Sequence, residues 1–276
     1  MNDFIYANLI KLKNNKIPNP EIDLRILLNY SRCTKNEIIL SNFNKNQINI
    51  KKFNLLLKRR ISNEPISKII NNKSFWKDNF YVNKFVLDPR PETEGIIEEA
   101  INICKNNKTH IKILDIGTGS GAIAISLARE FKNAEIVAID ISEEAIKVAN
   151  KNIKDRNLDK RINLKKTTFE NIEDDFDLIV SNPPYLTQKE IKNLANEIKK
   201  FEPKIALFGG KDGLDFYRGF SKKINKNLRN GGYLILEIGV SQLSDCMEIF
   251  NDSGLKFIKK AQDLQKKDRI MIFSKI

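Results

Sequence analysis

Two segments of this 276-residue chain concentrate residues whose types and spacing suit chemistry. The first is Asp115-Ile116-Gly117-Thr118-Gly119-Ser120-Gly121. Glycines in such a turn let the backbone bend tightly and let a ligand approach the main chain closely. Asp140, at the end of the next apolar run, is placed to accept both hydroxyls of a ribose. Gly117, Gly119 and Ala122 also satisfy the dinucleotide fingerprint GxGxxG/A, so a nicotinamide-dependent oxidoreductase is a rival reading. Asp115 at the loop entrance opposes it. A carboxylate there repels a pyrophosphate and suits a cationic, amino-acid-bearing ligand.

The second segment is Ser181-Asn182-Pro183-Pro184-Tyr185, directly after the apolar run Leu178–Val180. Two prolines stiffen the loop and remove two competing amide donors. The Asn182 side-chain oxygen and the Pro183 carbonyl then suit the two protons of an NH2 group, and the Tyr185 ring suits stacking on the planar group that bears it. An amide nitrogen is a poor nucleophile because its lone pair is delocalised. Two acceptors raise its electron density and aim it at an electrophile, and positioning of this kind contributes about 7–11 kcal/mol. The plain alternative is a Pro-Pro turn that ends a strand.

The elements that must hold these segments follow from hydrophobic periodicity. Short strands are predicted at 111–116, 135–139, 162–164, 176–180, 233–238, 257–258 and 270–274, with helices at 122–131 and 143–157. Buried strands alternating with helices make an α/β, doubly wound, mostly parallel sheet, and both segments fall at strand C-terminal ends. Residues 1–75 differ in texture. They carry apolar residues at helical spacing (Ile22, Leu24, Ile26, Leu27, Leu28; Phe53, Leu55, Leu56, Leu57) and read as a small N-terminal helical domain. Residues 76–94 read as a hairpin and linker, rich in Trp76, Phe80, Tyr81, Phe85 and Val86, with Pro89 and Pro91 ending it and Thr93 as a helix N-cap. Residues 95–276 form the third span.

Composition narrows the field. With 41% hydrophobic residues a sizeable core is available, and no apolar run reaches a membrane span. The N-terminus lacks a signal-peptide pattern, so a soluble, cytoplasmic protein is expected. Three scattered cysteines (Cys33, Cys104, Cys246) and a single histidine, His110, argue against a zinc site or a disulfide scaffold, and no metal is expected. The net charge of +13 fits an anionic partner or lysine-rich compositional drift equally well.

Together these motifs resemble the class I methyltransferases that act on adenine, cytosine or glutamine amino groups. Flanking residues narrow the resemblance to the HemK/PrmC family. They are Arg59-Arg60 with Glu64-Pro65-Ile66, Phe75-Trp76, Val86-Leu87-Asp88-Pro89-Arg90-Pro91-Glu92-Thr93-Glu94, Phe201-Glu202-Pro203, Ala206-Leu207 and Gly209 to Asp215. The resemblance covers nearly the whole chain. It implies a Rossmann-like methyltransferase sheet, S-adenosyl-L-methionine as cofactor, and transfer of its methyl group to the glutamine amide of the Gly-Gly-Gln motif in class I peptide chain release factors. The expected partner is therefore a protein, with nucleic acid not required; methylation of a ribosomal-protein glutamine or of a nucleic-acid amino group are the alternatives. Carried over by residue, Gly117, Thr118, Gly119, Ser120, Gly121, Asp140, Phe169 and Asn182 hold the cofactor, with Phe169 in place of a common Trp on the adenine. Asn182, Pro183, Pro184 and Tyr185 hold the substrate, and Asn182, Pro183 and Tyr185 carry the catalysis. Asp88 departs from the family's usual apolar residue. Arg90, Glu92 and Glu94 either shape the cofactor pocket or form a structural ion-pair cluster, and Glu237 either faces the site or is a satisfied strand-end carboxylate.

Overall fold

The computed structural model describes residues 2–104 and 110–276; Met1 and Lys105–Thr109, which fall in the first and third expected spans, lie outside them. In chain order the elements are α1 (Asp3–Asn14), α2 (Pro20–Tyr30), α3 (Ile50–Ile61), α4 (Ile66–Ile70), β1 (Lys73–Phe75), β2 (Asp78–Phe80), α5 (Glu94–Ile103), β3 (Lys112–Ile116), α6 (Ala122–Glu130), β4 (Glu135–Asp140), α7 (Glu143–Lys154), β5 (Ile162–Lys166), β6 (Phe176–Ser181), α8 (Gln188–Asn193), α9 (Asn196–Phe201), α10 (Asp215–Asn227), β7 (Leu228–Glu237), α11 (Leu243–Asn251), β8 (Lys256–Gln262) and β9 (Asp268–Ser274). They divide into two units, Met1–Asn71 with Ala195–Phe201, and Asn72–Leu194 with Glu202–Ile276.

The smaller unit is helical. Leu24, Leu27 and Leu28 of α2 and Phe53, Leu56 and Leu57 of α3 share one core with Ile5, Leu9 and Leu12 of α1. Those i, i+3, i+4 positions lie on one helix face. Ile22 and Leu55 fall off it and are exposed. The Arg59-Arg60 pair is internal structure. Arg60 Nε bonds Asp23 at 2.6 Å with both side chains buried, and Arg60 Nη1 meets Glu197 at 3.2 Å. Arg59 grips Glu64 through two parallel bonds of 2.7 and 2.5 Å. Segment 195–201 joins this unit, which chain order alone does not suggest.

In the larger unit seven strands lie in the order β5-β4-β3-β6-β7-β9-β8. The first five are parallel neighbours, and β9 pairs antiparallel with both β7 and β8. Alternation along the strands sends Ile113, Ile136, Leu178 and Val180 to a core that includes Ile96 and Ile97 of α5, Leu127 of α6 and Val148 of α7. Leu114, Val137, Ile179 and Leu234 face a second core, which includes Tyr217 and Phe220 of α10 and Phe250 of α11. The sheet is therefore the middle of three layers. Strand order reverses between β3 and β6, and the crevice outside a reversal point is where open α/β sheets bind ligands.

The hairpin is shorter than expected. Only β1 and β2 pair, and Trp76 sits in the turn at φ 53°. Glu94 Oε1 accepts the Trp76 amide at 2.7 Å and steadies that strained residue. Thr93 does precede α5, yet its side chain makes no capping bond; its hydroxyl is engaged elsewhere. Among the described residues no helix is long and apolar enough to cross a membrane.

Candidate active site

The glycine loop leaves β3 at the reversal point. The Gly117 and Thr118 amides both donate to the Ile139 carbonyl at 2.9 Å, which ties the loop to β4. Gly117 and Gly119 take φ values of 72° and 55°, where only glycine is comfortable. A Cβ at Gly117 would meet nothing within 4 Å, and at Gly119 only the Gly117 oxygen at 3.9 Å, so bare backbone faces open space there. Asn152 of α7 fixes the loop from behind, donating from Nδ2 to the Ser120 carbonyl at 2.8 Å and to the Tyr81 carbonyl at 2.9 Å. Nothing in the sequence pattern marked Asn152, a fully buried amide in the last turn of α7.

Two carboxylates serve this loop differently. Asp140 accepts the Gly119 amide through Oδ2 at 2.9 Å and the Ser142 amide through Oδ1 at 2.8 Å. Burial holds its carboxyl above the ordinary range, and these amides and that of Ile141 pull it back. Each oxygen keeps a second lone pair for a ligand. Asp115 is fully buried, and Oδ2 accepts the Thr118 hydroxyl at 2.6 Å. The Ala124 amide faces the carboxyl but closes no hydrogen bond on Oδ1. Burial raises Asp115 to about 7, against the pull of Thr118 and Ala124. A folded-state value above the unfolded one stabilises the fold below the unfolded value, near 4, and that stability is lost as pH rises through about 7. Relative to Asp115→Asn, the wild-type protein free of cofactor should thus lose on the order of 4 kcal/mol between pH 4 and pH 8 in urea unfolding. A flat difference would show that Asp115 does not titrate in this window.

The Asn-Pro-Pro-Tyr loop leaves the adjacent strand, β6. Ser181 Oγ donates to the Ile116 carbonyl at 2.8 Å and clips the two strand ends together. Asn182 Nδ2 donates to Thr93 Oγ at 2.8 Å, and Thr93 Oγ donates to Glu237 Oε2 at 2.6 Å. Tyr185 is anchored and does not stand free for stacking. Its hydroxyl donates to Glu237 Oε1 at 3.1 Å, its carbonyl accepts from Gln242 Nε2 at 3.0 Å, and its ring packs on the second core. Burial and then the neighbouring Glu237 carboxylate hold its phenol well above its ordinary range, so it stays protonated.

The loop's outer wall is Gly209 to Asp215. At Gly213, with φ 81°, a Cβ would lie 2.3 Å from the Tyr185 carbonyl and 2.6 Å from Gln242 Nε2. Gly213→Ala should therefore cost more than about 2 kcal/mol and displace Tyr185. Gly219→Ala is the control. It lies within α10, where a Cβ meets nothing within 4 Å, and should stabilise by about 0.5–1 kcal/mol. Urea unfolding of both variants checks this, and equal effects would contradict the close approach at Gly213.

A cavity joins the two loops. Gly117 to Ser120, Asp140, Ile141, Asn182 and Pro184 line it, together with Phe85 to Arg90, Thr93, Pro203 and Phe216. Pro183, Tyr185 and Phe169 are not in its wall. Phe169 is buried in the second core with its ring 4.5 Å from Phe220, contrary to the expected place on an adenine. Ile141 is the residue missed: it is 52% exposed, lines the cavity and follows Asp140 directly, so it offers the apolar face that Phe169 does not. Of the acidic-proline segment, Arg90 lines the cavity and meets Glu202 at 3.4 Å, and Glu94 serves the hairpin. Glu237 is a satisfied carboxylate that bonds Tyr185 directly and reaches Asn182 only through Thr93.

A family model described as a methyltransferase domain matches residues 107–272. The release factor glutamine methyltransferase of Buchnera aphidicola subsp. Baizongia pistaciae is 38% identical, over 98% of this chain and 97% of its own length. This chain belongs to the release factor glutamine methyltransferase (HemK/PrmC) family. A bifunctional methyltransferase of Rickettsia bellii is 37% identical over 99% of this chain, but only 54% of that protein is covered; this chain spans about half the length of such relatives. Among solved structures, a ribosomal protein L11 methylase from Lactobacillus delbrueckii subsp. bulgaricus matches with a TM-score of 0.51 at 20% identity, covering 74% of this chain and 88% of that one, which shows the fold alone.

The methyl donor of the family is S-adenosylmethionine, and the site fits it. The open backbone at Gly117 and Gly119, the spare lone pairs of Asp140 and the exposed Ile141 suit, in turn, an amino-acid moiety, a ribose and a purine.

Proposed function

We propose that this protein transfers a methyl group from S-adenosylmethionine to the side-chain amide nitrogen of the glutamine in the Gly-Gly-Gln motif of class I release factors, in the cytoplasm. The observation that carries the reading is the Asn182 amide, oriented by Thr93 in a cavity shared with the glycine loop at the sheet's reversal point. S-adenosylmethionine supplies an electrophilic methyl on a sulfonium. Asn182 Oδ1 in the cavity wall accepts one proton of the glutamine NH2, and the carbonyl of Pro183, which does not itself line the cavity, takes the other as the acceptor enters; together they raise the density on nitrogen and aim it at that methyl. Pro184 and Tyr185 hold this geometry. As the N–C bond forms, the S–C bond breaks and leaves the thioether; the nitrogen becomes acidic as it gains the methyl and gives up one proton to solvent, so no strong general base is required. Gly117 to Gly121 and Asp140 hold the donor. The test is incubation with labelled S-adenosylmethionine and, separately, release factor, ribosomal protein and DNA. Label on the release factor, lost when its Gly-Gly-Gln glutamine is replaced, is the expected result; label on ribosomal protein or DNA alone overturns it.

The helical region, residues 1–75 in the sequence reading, is proposed to recognise the protein substrate, with nucleic acid not required. Every exposed glutamine carries the same amide, so a small pocket cannot select one by itself. Ile22, Tyr30 and Ile39 stand exposed on the helical unit and suit a protein surface. Ile39→Glu should lower the rate on intact release factor about tenfold and leave the rate on a short Gly-Gly-Gln peptide unchanged. Equal rates on both substrates would remove this face from recognition.

A further inference from the structure

We infer that Glu237, acting through Thr93, is a positioning residue that fixes which end of the Asn182 amide faces the acceptor; this rests on the function proposed above. An asparagine side chain is nearly symmetric in shape, and its oxygen and NH2 can exchange places by a half-turn. Only one arrangement works here. The oxygen must face the acceptor NH2, because an NH2 turned toward it sets donor against donor.

The hydrogen-bond chain dictates that arrangement link by link. Above about pH 7, where Glu237 is ionised, its carboxylate only accepts. Thr93 Oγ lies 2.6 Å from Glu237 Oε2, so its single proton is committed there. Its remaining lone pairs can only accept, and the partner at 2.8 Å is then Asn182 Nδ2. With the NH2 held by Thr93, Oδ1 is the end left for the acceptor. The same carboxylate takes the Tyr185 hydroxyl on Oε1 at 3.1 Å, so it holds the last residue of the loop directly and the first through Thr93. Glu237 reaches both because Leu236 of β7 pairs with Ser181 of β6, which puts Glu237 one step on, level with Asn182.

Fold stability does not account for a carboxylate here. Glu237 is 2% exposed and Thr93 4%, and an apolar pair of similar size is commonly as stable as such a buried polar group or more so. Burial raises the Glu237 carboxyl to about 7; Thr93, Tyr185 and Arg269 favour the charged form and Glu92 opposes it.

Thr93→Val removes the relay and keeps its shape, Glu237→Gln presents an NH2 that can reverse it, and Thr93→Ser restores it. Three measurements separate positioning from mere support: kcat on a Gly-Gly-Gln peptide, S-adenosylmethionine affinity by calorimetry, and the side-chain amide resonances of Asn182 in 15N-labelled protein. The expected result is a fall in kcat of about 100-fold for Thr93→Val and Glu237→Gln, with cofactor affinity within about threefold of wild type. The Asn182 resonances should move to solvent-like values in both, and Thr93→Ser should recover kcat to within about threefold. Unchanged Asn182 resonances in Thr93→Val and Glu237→Gln, or wild-type kcat in either, overturn the inference. Inactivity of the wild-type enzyme on both the peptide and intact release factor overturns the function proposed above and not the relay, since the resonance comparison needs no acceptor.

Discussion

Asn182→Ala should lower kcat for methyl transfer by about 10²–10³-fold while S-adenosylmethionine affinity changes by only a few-fold. On the proposed mechanism the side-chain oxygen it removes meets an acceptor amide whose charge changes as the methyl arrives, so the loss falls on the transition state. The variant also leaves Thr93 without its donor in a site only 4% exposed, which should lower stability by about 1–3 kcal/mol. Calorimetry and single-turnover methylation separate the two effects. Near-wild-type turnover would sink the amide-clamp mechanism. A collapse of cofactor binding as large as that of turnover would instead make Asn182 a cofactor ligand first.

Asp140→Ala should weaken S-adenosylmethionine binding by about 100-fold, or roughly 3 kcal/mol. Two losses combine. On the proposed reading the ribose loses its acceptor, and the Gly119 and Ser142 amides lose the carboxylate that holds the loop in shape. Asp140→Asn should fall between, because its amide retains one acceptor and sets an NH2 against the other backbone donor. Isothermal titration of the three proteins gives the order directly, and unchanged binding in Asp140→Ala would remove Asp140 from the site.

Much of this was legible in the residues because it rests on local rules. The strand beginnings at Lys112, Glu135 and Phe176 follow from short apolar runs, and the two loops at their ends follow from glycine and proline. Exposure along α2 and α3 was also available in principle, since Ile22 and Leu55 sit off the i, i+3, i+4 stripe that Leu24, Leu27 and Leu28 define. The polar braces were less legible. Glu237, Gln242 and Asn152 act on residues far away in sequence, and only the order of strands brings them together. Tyr185 illustrates the same limit. Its type suits stacking, yet its two anchors come from β7 and the turn after it, so its role is set by neighbours that the motif does not contain. Phe169 lies in the second core, outside the cavity wall. An aromatic side chain near a ligand site is as ready to fill the core, and here Phe220 offered it a partner.

The pairing of Ile116 with Ser181 gives the sheet the function of a ruler. Adjacent strands stand about 4.8 Å apart, and neither can slip without turning its buried side chains to the wrong face. The loops for donor and acceptor start from those two residues, so their separation is a backbone constant. On the proposed reading, reach then becomes a selection rule. An asparagine is one methylene shorter than a glutamine, so its amide would arrive roughly 1.3 Å short of a near-attack separation of about 3–3.5 Å. Length alone would refuse it, before any side chain in the pocket has to tell one amide from another.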